Sequence, residues 1–265
     1  MEFNHIVSKE NPLVKRIVRL ARESKFRQSE LQTVVYGEHL LLEALKYDLV
    51  EQVVISEDAL TKYQNLINLL INPLAMIRLA STDVMQKINV LDSVVDIVAI
   101  IKIVPVILEA DHNQQDSLVL ENIQDPGNLG TILRAAYASG IRQVILSPNS
   151  VDIYNPKVLR ASQGIQFGLK VYTGVDLVNW LGDYAGKILA MVPSASLSLY
   201  EQDLTEITAF VLGNEGNGLS REILAQIKTH ISIPMLGNTE SLNLAMAATI
   251  GVFEMSRQRI INQRK

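Results

Sequence analysis

Three short segments concentrate the residue types that could do chemistry, and all lie in the second half of the chain. The first runs from Asn122 through Gln124, Asp125, Pro126, Gly127 and Asn128 to Arg134. An apolar stretch ending at Leu120 precedes it and an apolar-periodic run follows, so it predicts a strand, a tight loop and a helix capped near Asn128. Free N–H groups at such a helix start suit an anion, and Arg134, two turns in, would point at a ligand crevice beyond the strand's carboxyl end. The alternative is a surface arginine paired with Asp125. The second segment, Gly213, Asn214, Glu215, Gly216, Asn217 and Gly218, follows another apolar strand directly. Its glycines let backbone approach a ligand closely, or they simply build a turn into a helix capped by Ser220. Turn chemistry does not account for Glu215. The third segment carries Ile233, Met235, Ser241, Leu242 and Asn243 on a strand end, a loop and the opening of the last helix. Ser241 reads as the cap of that helix. Asn243 adds a polar tip to an apolar surface, as in a pocket lined by hydrophobes and a few placed polar groups.

These segments need a scaffold, and the alternation of the chain supplies one. Asn11 and Pro12 open a basic amphipathic helix to Glu23, with Leu13, Ile17, Val18 and Leu20 on one face. Strands at Thr33–Tyr36, Gln52–Ile55, Met76–Leu79 and Ile97–Ile103 alternate with helices at His39–Lys46, Ala59–Leu70 and Thr82–Ile88. After a polar, aperiodic stretch from Ala110 to Asp116 the alternation restarts. Strands are expected at Leu118–Leu120, Gln143–Leu146, Lys170–Tyr172, Ile188–Val192, Ala209–Leu212 and Ile231–Ile233. Helices are expected at Leu129–Ser139 and Pro156–Gln163, from Asp176, from Ser220 and over Ser241–Ile261. The division is therefore a small α/β domain over 1–106, a linker over 107–116 and a larger α/β domain over 117–265 with a mostly parallel sheet.

Composition narrows the classes. With 48% hydrophobic and 20% charged residues the chain is globular, and the absence of Cys excludes disulfide scaffolds and thiol nucleophiles. The four His residues have no metal-ligand spacing, so no metal is expected. No G-x-G-x-x-G, Walker A or G-x-S-x-G sequence occurs, which disfavours dinucleotide, P-loop and serine-hydrolase sites. No apolar leader opens the chain, and the stretch from Val94 to Leu108 is broken by Asp96, Lys102 and Pro105, so a cytoplasmic protein is expected. Net charge is −4, yet Lys9, Lys15, Arg16, Arg19, Arg22, Lys25 and Arg27 face only Glu10 and Glu23. The tail after Glu254 adds Arg257, Arg259, Arg264 and Lys265. Local patches of this kind make a footprint for phosphate, or else a solvated helix face.

Taken in order, N…DPGNLGTILRAA, LGNEGNGLS and IPMLGNTESLNLAMA resemble the three signature motifs of the SpoU (TrmH) family of RNA 2′-O-ribose methyltransferases, within the SPOUT superfamily. The first domain resembles that family's small substrate-binding domain through SKENPLVKRIVRL and VVYGEHLLLEAL. The third motif departs from the family's usual SLNVSVA at Leu244, Ala245 and Met246. The resemblance implies a parallel sheet with helices on both faces and a deep trefoil knot, a rare exception to unthreaded topology. It implies S-adenosylmethionine as cofactor and a homodimer through the C-terminal domain.

Residue by residue, Gly213, Ile233 and Leu242 match positions that hold the cofactor, and Asn214, Gly216, Met235 and Ser241 are counted with them. Arg134 matches the arginine that acts on the ribose hydroxyl, as base or as charge stabiliser, with Glu215 and Asn243 as polar partners in catalysis. Asn122 and Asn128 match supporting positions on the RNA side, and Lys15, Arg16, Arg19 and Arg22 are the candidate phosphate contacts. The expected reaction is methyl transfer to a ribose 2′-OH of RNA, which DNA lacks, with 23S ribosomal RNA as the expected substrate. A transfer-RNA substrate, or a non-catalytic ribosome assembly factor on the same fold, are the alternatives.

Overall fold

The computed structural model describes residues 3–70, 77–90, 95–109 and 111–263. The expected strand start at Met76, Val94, Ala110 of the linker, and Arg264 and Lys265 of the basic tail lie outside the described residues.

The chain forms two compact units. The first runs to Pro105 and also includes Tyr154–Phe167; the second comprises Val106–Ile153 and Gly168–Lys265. In the first unit β1 (Asn4–Ile6), β2 (Gln32–Tyr36), β3 (Val50–Ser56), β4 (Ile77–Ala80) and β5 (Ile97–Lys102) make one sheet in the order β1-β4-β3-β5-β2. It is a mixed sheet, because β5 runs antiparallel to both β2 and β3. Alternation sends Val35, Val53, Ile55, Leu79 and Ile101 to one face, against Leu40, Leu41 and Ala44 of α3 (Glu38–Lys46). Val34, Tyr36, Val54, Val98 and Ile100 face the other way. They meet Val14, Ile17 and Leu20 of α1 (Pro12–Arg22) and Val84, Met85 and Ile88 of α5 (Thr82–Ile88). Asn11 caps α1 through Leu13 N–H at 2.9 Å, with Pro12 at the first helical position.

A second short helix, α2 (Ser24–Glu30), was not expected, and Leu31 ends it in the left-handed region at φ 50°. The helix expected over Ala59–Leu70 is a 3-10 turn, Glu57–Ala59, followed by α4 (Gln64–Leu69). Ala59, Tyr63, Leu66, Ile67 and Leu70 are nonetheless all buried, as their spacing predicts. The helix α7 (Pro156–Ser162) belongs to the first unit: Leu159 is fully buried in the cluster that contains Val35, Leu40 and Ile101.

The second unit is built on seven parallel strands, β6 (Ser117–Leu120), β7 (Gln143–Leu146), β8 (Lys170–Tyr172), β9 (Lys187–Met191), β10 (Leu197–Ser198), β11 (Thr208–Leu212) and β12 (Thr229–Ser232). Their order is β10-β12-β9-β11-β6-β7-β8. Ala209 and Val211 face α8 (Leu177–Asp183) and α9 (Arg221–Gln226) through Trp180, Leu181, Ile223 and Ile227. Phe210, on the opposite face, lies by Gly251 of α10 (Leu244–Asn262), and α6 (Pro126–Ser139) packs along α10. Helices thus cover both faces. Because every pairing is parallel, the loops after β6, β9, β11 and β12 emerge at one edge of the sheet.

Candidate active site

The loop after β6 is held in an unusual conformation by its own polar side chains. Asn122 adopts a left-handed φ of 52°, tolerated best by Asn and Gly, and its N–H donates to Ser147 Oγ at 2.7 Å. Gln124 Nε2 donates to Asn122 Oδ1 at 2.9 Å and to the Asn149 carbonyl at 2.6 Å. The cap of α6 is Asp125, whose Oδ1 accepts Asn128 N–H at 2.7 Å, and not Asn128 itself. Pro126 then occupies the first helical position, which needs no N–H donor. That use of Asp125 leaves Arg134 unpaired: among the described residues its exposed side chain makes no ion pair or hydrogen bond.

The glycine-rich loop after β11 closes on itself. Asn214 and Gly218 exchange two backbone bonds, at 3.0 and 2.9 Å, and Gly218 turns at φ +67°. A β-carbon on Gly213 would lie 2.1 Å from the Gly218 carbonyl carbon, so only glycine fits there. The crowding atoms belong to the loop itself, so loop closure, rather than ligand approach alone, accounts for this glycine. Asn214 Oδ1 accepts Gly216 N–H at 2.9 Å and Asn217 N–H at 3.1 Å. Ser220 caps α9, as expected, through Ile223 N–H at 3.3 Å.

The third loop ends on a cap that the sequence had assigned elsewhere. Asn243, not Ser241, caps α10, its Oδ1 accepting Ala245 N–H at 2.9 Å and Met246 N–H at 3.3 Å. Helix geometry places the β-region capping residue immediately before Leu244, which leaves Ser241 two positions too early.

Side-chain bonds join the three loops. Asn214 Nδ2 donates to the Asn122 carbonyl at 2.9 Å. Glu215 accepts Asp125 N–H at 3.1 Å, Gln124 N–H at 3.3 Å and Asn128 Nδ2 at 3.3 Å. Asn128 Oδ1 in turn accepts Asn243 Nδ2 at 2.9 Å. Burial works against the Glu215 charge, but the backbone and Asn128 donors outweigh it and hold the carboxyl below its ordinary range. Glu215 is therefore an ionised staple between two loops.

Beside this network lies a cavity of about 340 Å³, a size suited to a small organic ligand. Gly213, Asn214, Gly216, Ile233, Met235, Ser241 and Leu242 all line it, as does Glu215. Met191, Val192 and Pro193, at the end of β9, line it too and were not anticipated. The signal was available: β9 neighbours both β11 and β12, so its carboxyl end must open on the same crevice. Arg134, Asn122, Asn128 and Asn243 are not in the cavity wall.

The candidate phosphate contacts fall on α1 of the first unit, and most are already engaged. Lys15 pairs with Glu10 at 2.7 Å, Arg16 with Glu30 and Gln32, and Arg19 with Glu23 at 3.3 Å while lying over the Phe26 ring. Arg22 is exposed without an ion pair among the described residues. Arg27 is buried and donates to the Leu20 carbonyl at 2.7 Å. No described helix is long and apolar enough to cross a membrane.

Comparison with known proteins agrees with this geometry. The sequence profile of the SpoU rRNA Methylase family matches residues 116–253. An uncharacterised tRNA/rRNA methyltransferase of Synechocystis is 31% identical over 262 residues, 96% of this chain and 94% of that protein. A 23S rRNA guanosine 2′-O-methyltransferase of Bacillus subtilis is 34% identical over 52% of this chain, a match spanning 56% of that relative's length. Among solved structures, an AdoMet-bound rRNA methyltransferase from Sinorhizobium meliloti superposes with a TM-score of 0.83 at 26% identity. That superposition covers 96% of this chain and 98% of the other.

Proposed function

Because the chain belongs to the SpoU rRNA Methylase family, we propose that it transfers a methyl group from S-adenosylmethionine to a ribose 2′-OH of RNA, with 23S ribosomal RNA as substrate. The observation that carries this reading is the joining of three loops beside one cavity, through Asn214 to Asn122, Glu215 to Asn128 and Asn128 to Asn243. The cavity suits the cofactor: apolar residues Leu212, Ile231, Ile233 and Leu242 line it together with Gly213 and the polar residues Asn214 and Ser241. S-adenosylmethionine supplies there a methyl group on a positively charged sulfur.

The remaining steps fall to this chain's residues. An arginine stays protonated in proteins, so we assign Arg134 to holding the RNA phosphate or the forming alkoxide as a fixed cation. Glu215 is occupied by three donors and keeps its charge, so it orders the loops and does not collect the proton. Asn243 and Asn128 hold the start of α10 against the start of α6, the helix that carries Arg134. The hydroxyl proton leaves to solvent.

Two further features belong to the same proposal. Met246 and Phe253 are 55% and 46% exposed on α10 despite their apolar character, which supports a homodimer through the second unit. Insertion of β11 between β9 and β6, and of β12 between β10 and β9, supports threading of the C-terminal segment as a trefoil knot. Mapping 2′-O-methylation across ribosomal and transfer RNA from a deletion strain and its parent tests the function. A single ribosomal position lost on deletion is the expected result, and an unchanged methylation map overturns it.

A further inference from the structure

Many of the chain's cations already sit on carboxylates. On α1, Lys15, Arg16 and Arg19 sit on Glu10, Glu30 and Glu23. Lys9, Lys62 and Lys102 sit on Asp83, Asp96 and Asp48. In the tail, Arg257 holds Glu254 and Arg259 holds Asp116. A phosphate approaching any of these must displace a carboxylate and stay beside it.

Helix α7 is different. Lys157 and Arg160 are exposed, and among the described residues neither side chain has an ion pair or hydrogen bond. They stand three residues apart, which places both on one side of the helix. The other side is fixed, since Val158 and Leu159 are fully buried and Asn155 caps the helix through Lys157 N–H at 3.0 Å. No Asp or Glu occurs from Tyr154 to Phe167, in a chain whose net charge is −4. By contrast Arg22 and Lys25 flank Glu23.

We propose that Lys157 and Arg160 form the phosphate-docking face with which the first unit grips the RNA, in place of the α1 stripe. This rests on the RNA-methylating function above. Its position gives it a further consequence. The chain entering α7 has just left Ser147 and Asn149, which hold Asn122 and Gln124 in the loop that opens α6. The support of that loop is thus covalently continuous with the α7 segment, which begins at Tyr154, five residues after Asn149.

The test uses the full-length protein with in-vitro-transcribed 23S rRNA, measuring the dissociation constant over a series of salt concentrations. Removing two phosphate contacts by Lys157→Gln with Arg160→Gln should lower the log–log salt slope by about 1.5. It should also weaken binding by at least about tenfold at low salt. Thermal unfolding should stay unchanged, because both side chains are exposed. A charge-matched variant, Lys87→Gln with Lys228→Gln, should leave the slope as in wild type. An unchanged slope in the α7 variant overturns the proposal and leaves that face for an acidic protein partner. An equal loss in the charge-matched variant also overturns it. If wild type binds with the expected slope but transfers no methyl group, the proposed activity fails while the docking face stands.

Discussion

Gly213→Ala asks whether the glycine-rich loop is held in its ligand-lining shape by closure on itself. The added β-carbon would sit 2.1 Å from the Gly218 carbonyl carbon, 2.2 Å from the Leu219 nitrogen and 2.3 Å from the Gly218 oxygen. All three are backbone atoms, so no side chain can rotate out of the way and the loop must open. Opening breaks the two bonds between Asn214 and Gly218, at about 1 kcal/mol each. Displacing packed atoms adds roughly 1–3 kcal/mol. If the ligand needs the closed loop, the sum of about 3–5 kcal/mol becomes a loss in S-adenosylmethionine affinity of roughly a hundredfold to a few thousandfold. Gly237→Ala is the matched control. Its added carbon would meet no described atom within 4 Å and the residue does not line the cavity, so its affinity should stay within about threefold of wild type. Calorimetric titration of both folded variants with S-adenosylmethionine decides the matter. Near-wild-type affinity in Gly213→Ala, or equal losses in the two, would refute the reasoning.

Arg134→Ala should slow methyl transfer roughly a hundredfold to a thousandfold, with S-adenosylmethionine affinity and melting temperature unchanged because among the described residues its side chain has no ion pair or hydrogen bond; a lower melting temperature with full single-turnover activity would reassign it to structure. Asn243→Ala should cost about 1 kcal/mol of stability through loss of the cap. Asn243→Ser retains a capping hydroxyl but is too short to reach Asn128, so it should unfold near the wild-type denaturant midpoint yet transfer methyl groups more slowly; wild-type rates in the Ser variant would dismiss the link to Asn128. For Glu215, the folded carboxyl titrates below its ordinary value of 4.5, so its contribution is complete above that value and is lost as pH falls through the lowered one. The gap in urea midpoint between wild type and Glu215→Gln should thus be constant above roughly pH 5.5 and shrink in more acid solution; a gap undiminished at roughly pH 3 would mean the charge is not what holds the loops.

The alternation of strands and helices was legible because burial on alternate sides leaves a period in the sequence, as at Val34 and Val35, which enter opposite cores. The residues that the three motifs offered for cofactor binding line one cavity. What could not be read were choices among equivalent chemistries. Asp125 and Asn128 are both good caps, as are Ser241 and Asn243, and only the position of the first helical turn selects between them. Nor does an apolar helix face say what it packs against: Val158 and Leu159 mark α7 as buried on one side, without revealing that the core is that of the first unit. The ion pairs of α1 were partly visible, since Glu23 follows Arg19 at helical spacing, but Glu30 reaches Arg16 only because α2 folds back.

The placement of α7 also bears on how the protein is made. A growing chain emerges from its N-terminus, and domains generally finish folding in that order. Here the first unit cannot finish when its own five strands have emerged, because the place of Leu159 in its core stays empty until synthesis has passed β7. During that interval an apolar slot beside Val35 and Leu40 is open, while β6 waits for β11, the neighbour on its other side, which is synthesised later still. The first unit thus closes only once α7 has emerged, and the second waits for strands and a helix made later still. A nascent chain paused between Leu146 and Leu159 presents exposed apolar surface on both, the condition under which unfinished chains aggregate or engage chaperones.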